Sequence, residues 1–252
     1  MILKLFSRSW ILTTLLVLVG VGVLVRLGIW QLDRLDARRA FNARVLAQEA
    51  APMLVLDQGA LTEPGLAESL TGMEYRAVTV QGEYDFSHQV ALRNQSWGNE
   101  WGVHLLTPLR ITGSDQSILV DRGWIPAEAF KSGEWSQYAE PGMVSVKGIL
   151  RASQSKPDYG KKNDPEGTLQ AWNFANVERI QNQTPYPLLP VYIQQAPDPA
   201  WTAMPYRSLP ELELTEGPHM GYALQWFAFS AILGVGYPFF VRKQSGAKHA
   251  NP

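Results

Sequence analysis

The chain has 252 residues, 22 Lys and Arg against 23 Asp and Glu, a formal net charge of −1 and no cysteine. The balanced charge gives no basic face, so no nucleic-acid partner is expected. The missing thiols exclude a disulfide framework, a thiolate zinc site, the CxxCH attachment of c-type haem and a thiol copper carrier.

The first long element is residues 9–25, SWILTTLLVLVGVGVLV, which carry no charge. From Trp10 to Trp30 a helix reaches about 30 Å, one hydrocarbon core. A tryptophan stands near each end, as in an aromatic belt, and Arg26 lies close enough to the far boundary to snorkel. A cleaved signal peptide is the alternative. Its apolar run is normally shorter, no clear A-x-A site follows, and the run passes straight into a charged helical pattern, which suits a retained anchor. No room precedes it for an Arg/Ser-rich transit peptide, so a bacterial plasma (inner) membrane is the expected home.

The helical period continues through RLGIWQLDRLDARRAFNARVLAQEA and ends before Pro52. Leu27, Gln31, Leu35 and Arg38 share one side of it; Trp30, Arg34 and Phe41 share another. Residues 57–72 carry Gly59, Pro64, Gly65 and Gly72 and read as a linker. From Tyr75 the period becomes two. YRAVTVQGEYDF, HQVALRNQ, WGVHLLTPLRI, SILVDRGWIP and MVSVKGILR read as five strands, with TGSDQ (112–116) turning a hairpin between the third and fourth. Pro108 suggests an edge or strand end. Residues 152–167 read as a loop, 169–177 and 188–195 as two more strands, and 176–182 as a helical turn. Residues 197–218 are proline-rich and acidic. Residues 220–241 form a second uncharged run of spanning length, with Trp226, Phe227 and Phe229 early and Tyr237, Phe239 and Phe240 late.

Lys4 and Arg8 precede the first run, and Arg242, Lys243 and Lys248 follow the second, which puts both tails in the cytoplasm. Arg26, Arg34, Arg38 and Arg39 argue the other way, toward translocated tails. The basic tails are preferred. The expected fold class is a membrane α+β protein in which two transmembrane helices bracket an external, antiparallel β-rich domain. Its divisions are a cytoplasmic tail (1–8), helix (9–30), helical extension (31–51), external or periplasmic domain (52–216), second helix (217–241) and cytoplasmic tail (242–252).

Three groups of residues carry possible chemistry. His219 heads the second span, and residues 219, 222, 226, 229 and 233 share one helical stripe. A neutral imidazole above Tyr222, Trp226 and Phe229 suits haem iron and a flat porphyrin, and Arg26 at similar depth suits a propionate. The competing reading is an interfacial histidine beside an aromatic belt and an arginine that only snorkels. In LGIWQLDR, Trp30 and Arg34 lie one turn apart beside Gln31, which fits a partner site, a cation–π contact or an interfacial anchor. In DRGWIP, Gly123 permits a tight turn, Trp124 supplies an aromatic and Arg122 a fork for a carboxylate; a structural Asp–Arg pair at a strand end explains it equally. His88 and His104 fall on expected strands near Asp85, Glu83 and Asp121, without metal-ligand spacing. There is no G-x-S-x-G, P-loop or H-E-x-x-H, so no enzyme is expected.

LGIWQLDR, LRNQSWGNEWGVHLLTPL, SILVDRGWIP and HMGYALQWF, in that order, resemble the Surfeit locus protein family of cytochrome c oxidase assembly factors. The resemblance implies two membrane helices around an external domain, and a role in maturing the core subunit of haem–copper cytochrome c oxidase. It implies haem a as a transient cofactor, with the iron on His219. Gly28, Trp30, Gln31, Arg34, Arg122, Gly123, Trp124, Pro126, Tyr222, Gln225 and Trp226 fall within the matching motifs. The expected partners are that core subunit, the haem a synthesis machinery and the lipid bilayer. The alternatives are a haem-free, membrane-anchored scaffold for the same assembly and an anchored domain unrelated to respiration.

Overall fold

A computed structural model describes residue 5 and residues 7–156 and 163–247. Lys4, Lys248, most of both expected tails and part of the expected loop at 152–167 lie outside the described residues. In chain order the elements are α1 (Ile11–Ala50), β1 (Leu54–Leu56), α2 (Gln58–Leu61), α3 (Leu66–Ser69), β2 (Ala77–Tyr84), β3 (Val90–Trp97), β4 (Glu100–Ile111), β5 (Ser117–Pro126), α4 (Ala127–Ser132), β6 (Met143–Ala152), β7 (Ala171–Trp172), α5 (Val177–Gln181), β8 (Leu188–Gln195) and α6 (His219–Ala247). Two compact units result, residues 1–44 with 213–252, and residues 45–212.

In the first unit α1 and α6 pack antiparallel. Thr14 Oγ1 lies 2.8 Å from the Tyr237 hydroxyl, and Trp10 meets Phe240 edge-on at 6.1 Å. Buried positions of this unit fall on α1 at Thr14, Gly28, Leu35 and Asn42 and on α6 at Ala223, Ser230 and Tyr237, with Val241 one turn beyond. Spacings in multiples of seven keep one narrow seam in register along both helices. Away from the seam, Leu12, Leu16, Ile232 and Phe239 are 70%, 62%, 68% and 61% exposed. An apolar surface of that kind suits hydrocarbon rather than water. Both helices are long and apolar enough to cross a bilayer. Where the chain enters α6, residues 213–216 are held to α1: Arg38 donates to Thr215 O (3.0 Å) and Glu213 O, Asn42 to Leu214 O (2.7 Å), and Arg39 grips Glu216 with two bonds of 2.8 and 2.9 Å.

The second unit is a closed five-stranded barrel, β2–β6–β8–β5–β4–β2, with β1 added on β2, β3 on β4 and β7 on β3. The expected domain was antiparallel. The β5–β8 pair is parallel, as are β1–β2 and β3–β7. The connection from β5 to β8 contains a whole further strand, β6, and so is long enough to return the chain in the same direction. Val78, Val80, Leu109, Ile118, Val120, Val146, Leu150, Val191 and Ile193 belong to the barrel core. Leu119 turns the other way, into a cluster with Leu106, Trp172, Ile180 and Tyr192. That two-sided burial is why SILV reads as an unbroken apolar run.

Three local expectations change. Pro108 sits inside β4, between the last β3 partner, Leu106, and the first β2 partner, Leu109, where a missing N–H disturbs neither ladder. Residues 57–72 hold two single-turn helices, because the Asp57 side chain caps the first by accepting from Ala60 N at 2.9 Å. Of the strand expected at 169–177 only Ala171–Trp172 pairs. Asn173 bonds Asp164 instead, and Asn176 caps α5.

Candidate functional site

His219 is the first residue of α6, following Gly217 (φ 69°) and Pro218. Its Nδ1 lies 2.8 Å from Gln31 Oε1 on α1. An amide oxygen only accepts, so the contact selects the neutral tautomer with the proton on Nδ1 and the lone pair on Nε2. No hydrogen bond to Nε2 is found among the described residues. The half-buried imidazole borders an open cleft of about 410 Å³ lined also by Arg34, Arg38, Phe41, Glu216 and Gly217. Imidazole nitrogen, guanidinium and aromatic ring are a donor set that fits a metal-centred, planar, acidic ligand.

The other residues singled out on these helices divide. Arg26 does not line the cleft. It is exposed, with Asp33 at 3.8 Å. Arg34 does line it, with its guanidinium 6.0 Å from the Trp30 ring centre. Tyr222 and Phe229 are 46% and 52% exposed and Gln225 is exposed, while Trp226 is half-buried, edge-on to Phe229 at 6.2 Å. The stripe at 219, 222, 226, 229 and 233 is therefore not the packed face of α6, whose seam runs through Ala223, Ser230 and Tyr237. Two turns beyond His219 that seam is filled by the Phe227 ring on Gly28.

The DRGWIP motif lies in the second unit and is buried except for Pro126, which precedes α4. Arg122 is fully buried between the rings of Tyr84 (4.9 Å) and Phe86 (5.1 Å). It donates to Glu140 Oε1 (2.8 Å), Gln89 Oε1 (3.1 Å) and Tyr138 O. Arg207 holds the same carboxylate with bonds of 2.8 and 3.0 Å. The Asp–Arg pair weighed from sequence is not formed: Asp121 bonds His104 Nδ1 at 2.8 Å, and Arg122 bonds Glu140. Burial alone would lower the His104 pKa, but the Asp121 carboxylate outweighs it and raises it above the ordinary value. Gly123 has φ 115°, and a Cβ there would run into Tyr206 O. Trp124 exchanges two backbone hydrogen bonds with Tyr206, whose ring is sandwiched between Trp124 (6.1 Å) and Trp97 (5.2 Å). Arg122, Gly123 and Trp124 are thus packed inside the domain.

His88 stands in a 3₁₀ turn, not on a strand. Its Nδ1 contacts both Asp85 Oδ2 (2.8 Å) and Ser87 Oγ (3.0 Å), and Tyr186 donates to Asp85 (2.6 Å). Burial opposes ionisation of Asp85, but hydrogen bonds from Ser87, Tyr186 and His88 hold its pKa well below the usual carboxylate range. Serine and aspartate share one ring nitrogen here, so the trio is a turn cap and not a nucleophile–base–orienter relay. Among the described residues no cluster of three or more His, Asp or Glu is placed to hold a metal.

Sequence reasoning missed Glu140, Arg207 and Tyr206, which no local pattern marks. It also missed Arg38 and Glu216 as cleft residues, although Arg38 follows Arg34 by one helical turn.

Two span-length apolar helices, one at each end of a five-stranded barrel domain in sequence, with an imidazole at the head of the second, define the class of chain. The model of the SURF1 family matches residues 18–231, and the chain belongs to that family. Surfeit locus protein 1 of Rattus norvegicus is 23% identical over 235 residues, covering 87% of this chain and 73% of the relative. The SURF1-like protein of Rickettsia felis is 26% identical, covering 91% and 97%, and that of Caenorhabditis elegans 24%, covering 90% and 73%.

Proposed function

We propose that this SURF1-family protein is a membrane-anchored assembly factor for haem–copper cytochrome c oxidase, which holds haem a transiently through His219 and docks on the oxidase core subunit. Both helices cross a bacterial inner membrane, both termini are cytoplasmic and the barrel domain lies outside. Family membership supports the assembly role. One observation carries the haem reading: His219, whose Nε2 has no hydrogen bond among the described residues, borders an open cleft at the head of an apolar helix.

His219 would hold the iron of a bound haem through its ring nitrogen, and the iron would supply a binding centre for the macrocycle. The chain's own groups do the rest. Gln31 orients the ring, the cleft guanidiniums offer charge to acid groups, and the outward rings of Tyr222 and Phe229 give an apolar flank. A single nitrogen ligand without a covalent tether leaves release to the client favourable. No general base or nucleophile is required, so the activity is carriage and not catalysis.

Purification after co-expression with haem a synthesis tests the reading. A Soret band is expected in the wild type and a strongly diminished one in His219→Ala. Deletion in the native host is expected to lower oxidase activity and its haem a content. Lost oxidase activity with no haem retained by the purified protein would point to the haem-free scaffold. Unchanged oxidase would defeat both readings.

A further inference from the structure

Gln31 and His219 are 188 positions apart and meet at 2.8 Å, a contact that decides which ring nitrogen is free. A histidine held through Nδ1–H has its tautomer and ring plane fixed, and only Nε2 can then bind a metal. Three residues further along α1 stands Arg34, which lines the cleft with His219. The neighbouring arginines are engaged: Arg26 with Asp33, Arg38 with two backbone carbonyls and Arg39 with the Glu216 carboxylate. The Glu216 charge in the cleft is thereby balanced. Arg34 rests against the face of Trp30 and, among the described residues, has no hydrogen-bonded acceptor.

We infer that Gln31 and Arg34 complete the His219 site. Gln31 is a positioning residue that commits His219 to binding through Nε2, and Arg34 is the cation for an acid arm of the ligand. The ligand class is then a metalloporphyrin with free carboxylates, and an esterified one is discriminated against. This rests on the haem reading above. It replaces Arg26 with Arg34 as the carboxylate partner, because Arg34 shares the cleft with the imidazole and Arg26 does not. An Arg–carboxylate pair is directional as well as charged, so loss of the acid group should be felt strongly.

Two measurements on the full chain in detergent test it. In the ligand-free protein with ¹⁵N-labelled histidine, His219 should show a protonated Nδ1 and a bare Nε2. Gln31→Leu should turn that into a tautomer mixture, and Gln31→Glu should restore one form. A wild-type ring already protonated at Nε2, or spectra unchanged in Gln31→Leu, would overturn the positioning role without reference to haem. In the second measurement the probes are iron protoporphyrin IX and its dimethyl ester. The free acid should bind the wild type about tenfold more tightly than the ester, and Arg34→Gln should erase most of that preference while leaving the histidine-ligated Soret position in place. Equal binding of acid and ester, or a preference that survives Arg34→Gln, would overturn the Arg34 assignment. Failure of either porphyrin to bind would remove the haem reading and Arg34 together, and the ring spectra would still decide Gln31.

Discussion

The Phe227 ring lies against the backbone of Gly28, so close that a Cβ on residue 28 would stand 2.6 Å from Phe227 Cε1. Glycine is needed here for lack of bulk rather than for backbone freedom, as at other close approaches between apolar helices. Gly28→Val should destabilise the helix pair by about 1–3 kcal/mol, the usual cost of overpacking. Gly22→Val is the matched control, since a Cβ there meets nothing within 4 Å. Unfolding of the full chain in mixed micelles should separate the two variants. Equal effects at both positions would mean that the seam does not pack through Phe227.

Glu140 accepts from two buried guanidiniums, those of Arg122 and Arg207. Removing its charge leaves both cations without a counter-ion inside the domain, a change that typically costs about 3–5 kcal/mol. Glu140→Gln should therefore lower the denaturant midpoint far more than Glu74→Gln, whose Arg151 partner is 21% exposed. Similar midpoints for the two variants would show that the buried network is not under strain when its acid is neutral.

The His104–Asp121 pair makes stability depend on pH in a stated direction. The folded-state pKa of His104 is raised above the ordinary 6.5. The folded form thus holds a proton that the unfolded chain has already released, and stability falls as pH rises through the folded value. The contribution is complete below about 6.5, the unfolded value. Denaturation of the wild type followed upward from that pH should show the loss, and His104→Gln should flatten it. A wild type with no such slope, or a variant with the same one, would remove the pair from the account.

Much of this architecture is legible along the chain. The apolar runs and their helical continuation sit inside α1 and α6. Alternation locates β2 and β6, because a strand with one face buried records that face at every second residue, and short apolar runs between turn signals locate β3, β4 and β5. The helical turn expected at 176–182 is legible too, since an Asn side chain caps its first turn locally. Closure of the barrel is not legible. It depends on β4 leaving β3 for β2 near Pro108 and on β8 returning parallel to β5, and both are choices between partners that a local period does not encode.

The candidate site divides along the same line. The residue types of LGIWQLDR and HMGYALQWF, their order and their helical spacing are properties of the sequence, and they sufficed to single out Gln31, Arg34 and His219. Only the tertiary structure decides that Gln31 accepts a hydrogen bond from the imidazole, that Arg34 shares the cleft while Arg26 turns to Asp33, and that Arg122 answers to Glu140 instead of Asp121. The reason is physical: periodicity fixes which face of an element a side chain occupies, whereas hydrogen bonds and ion pairs at about 3 Å depend on how distant elements are brought side by side.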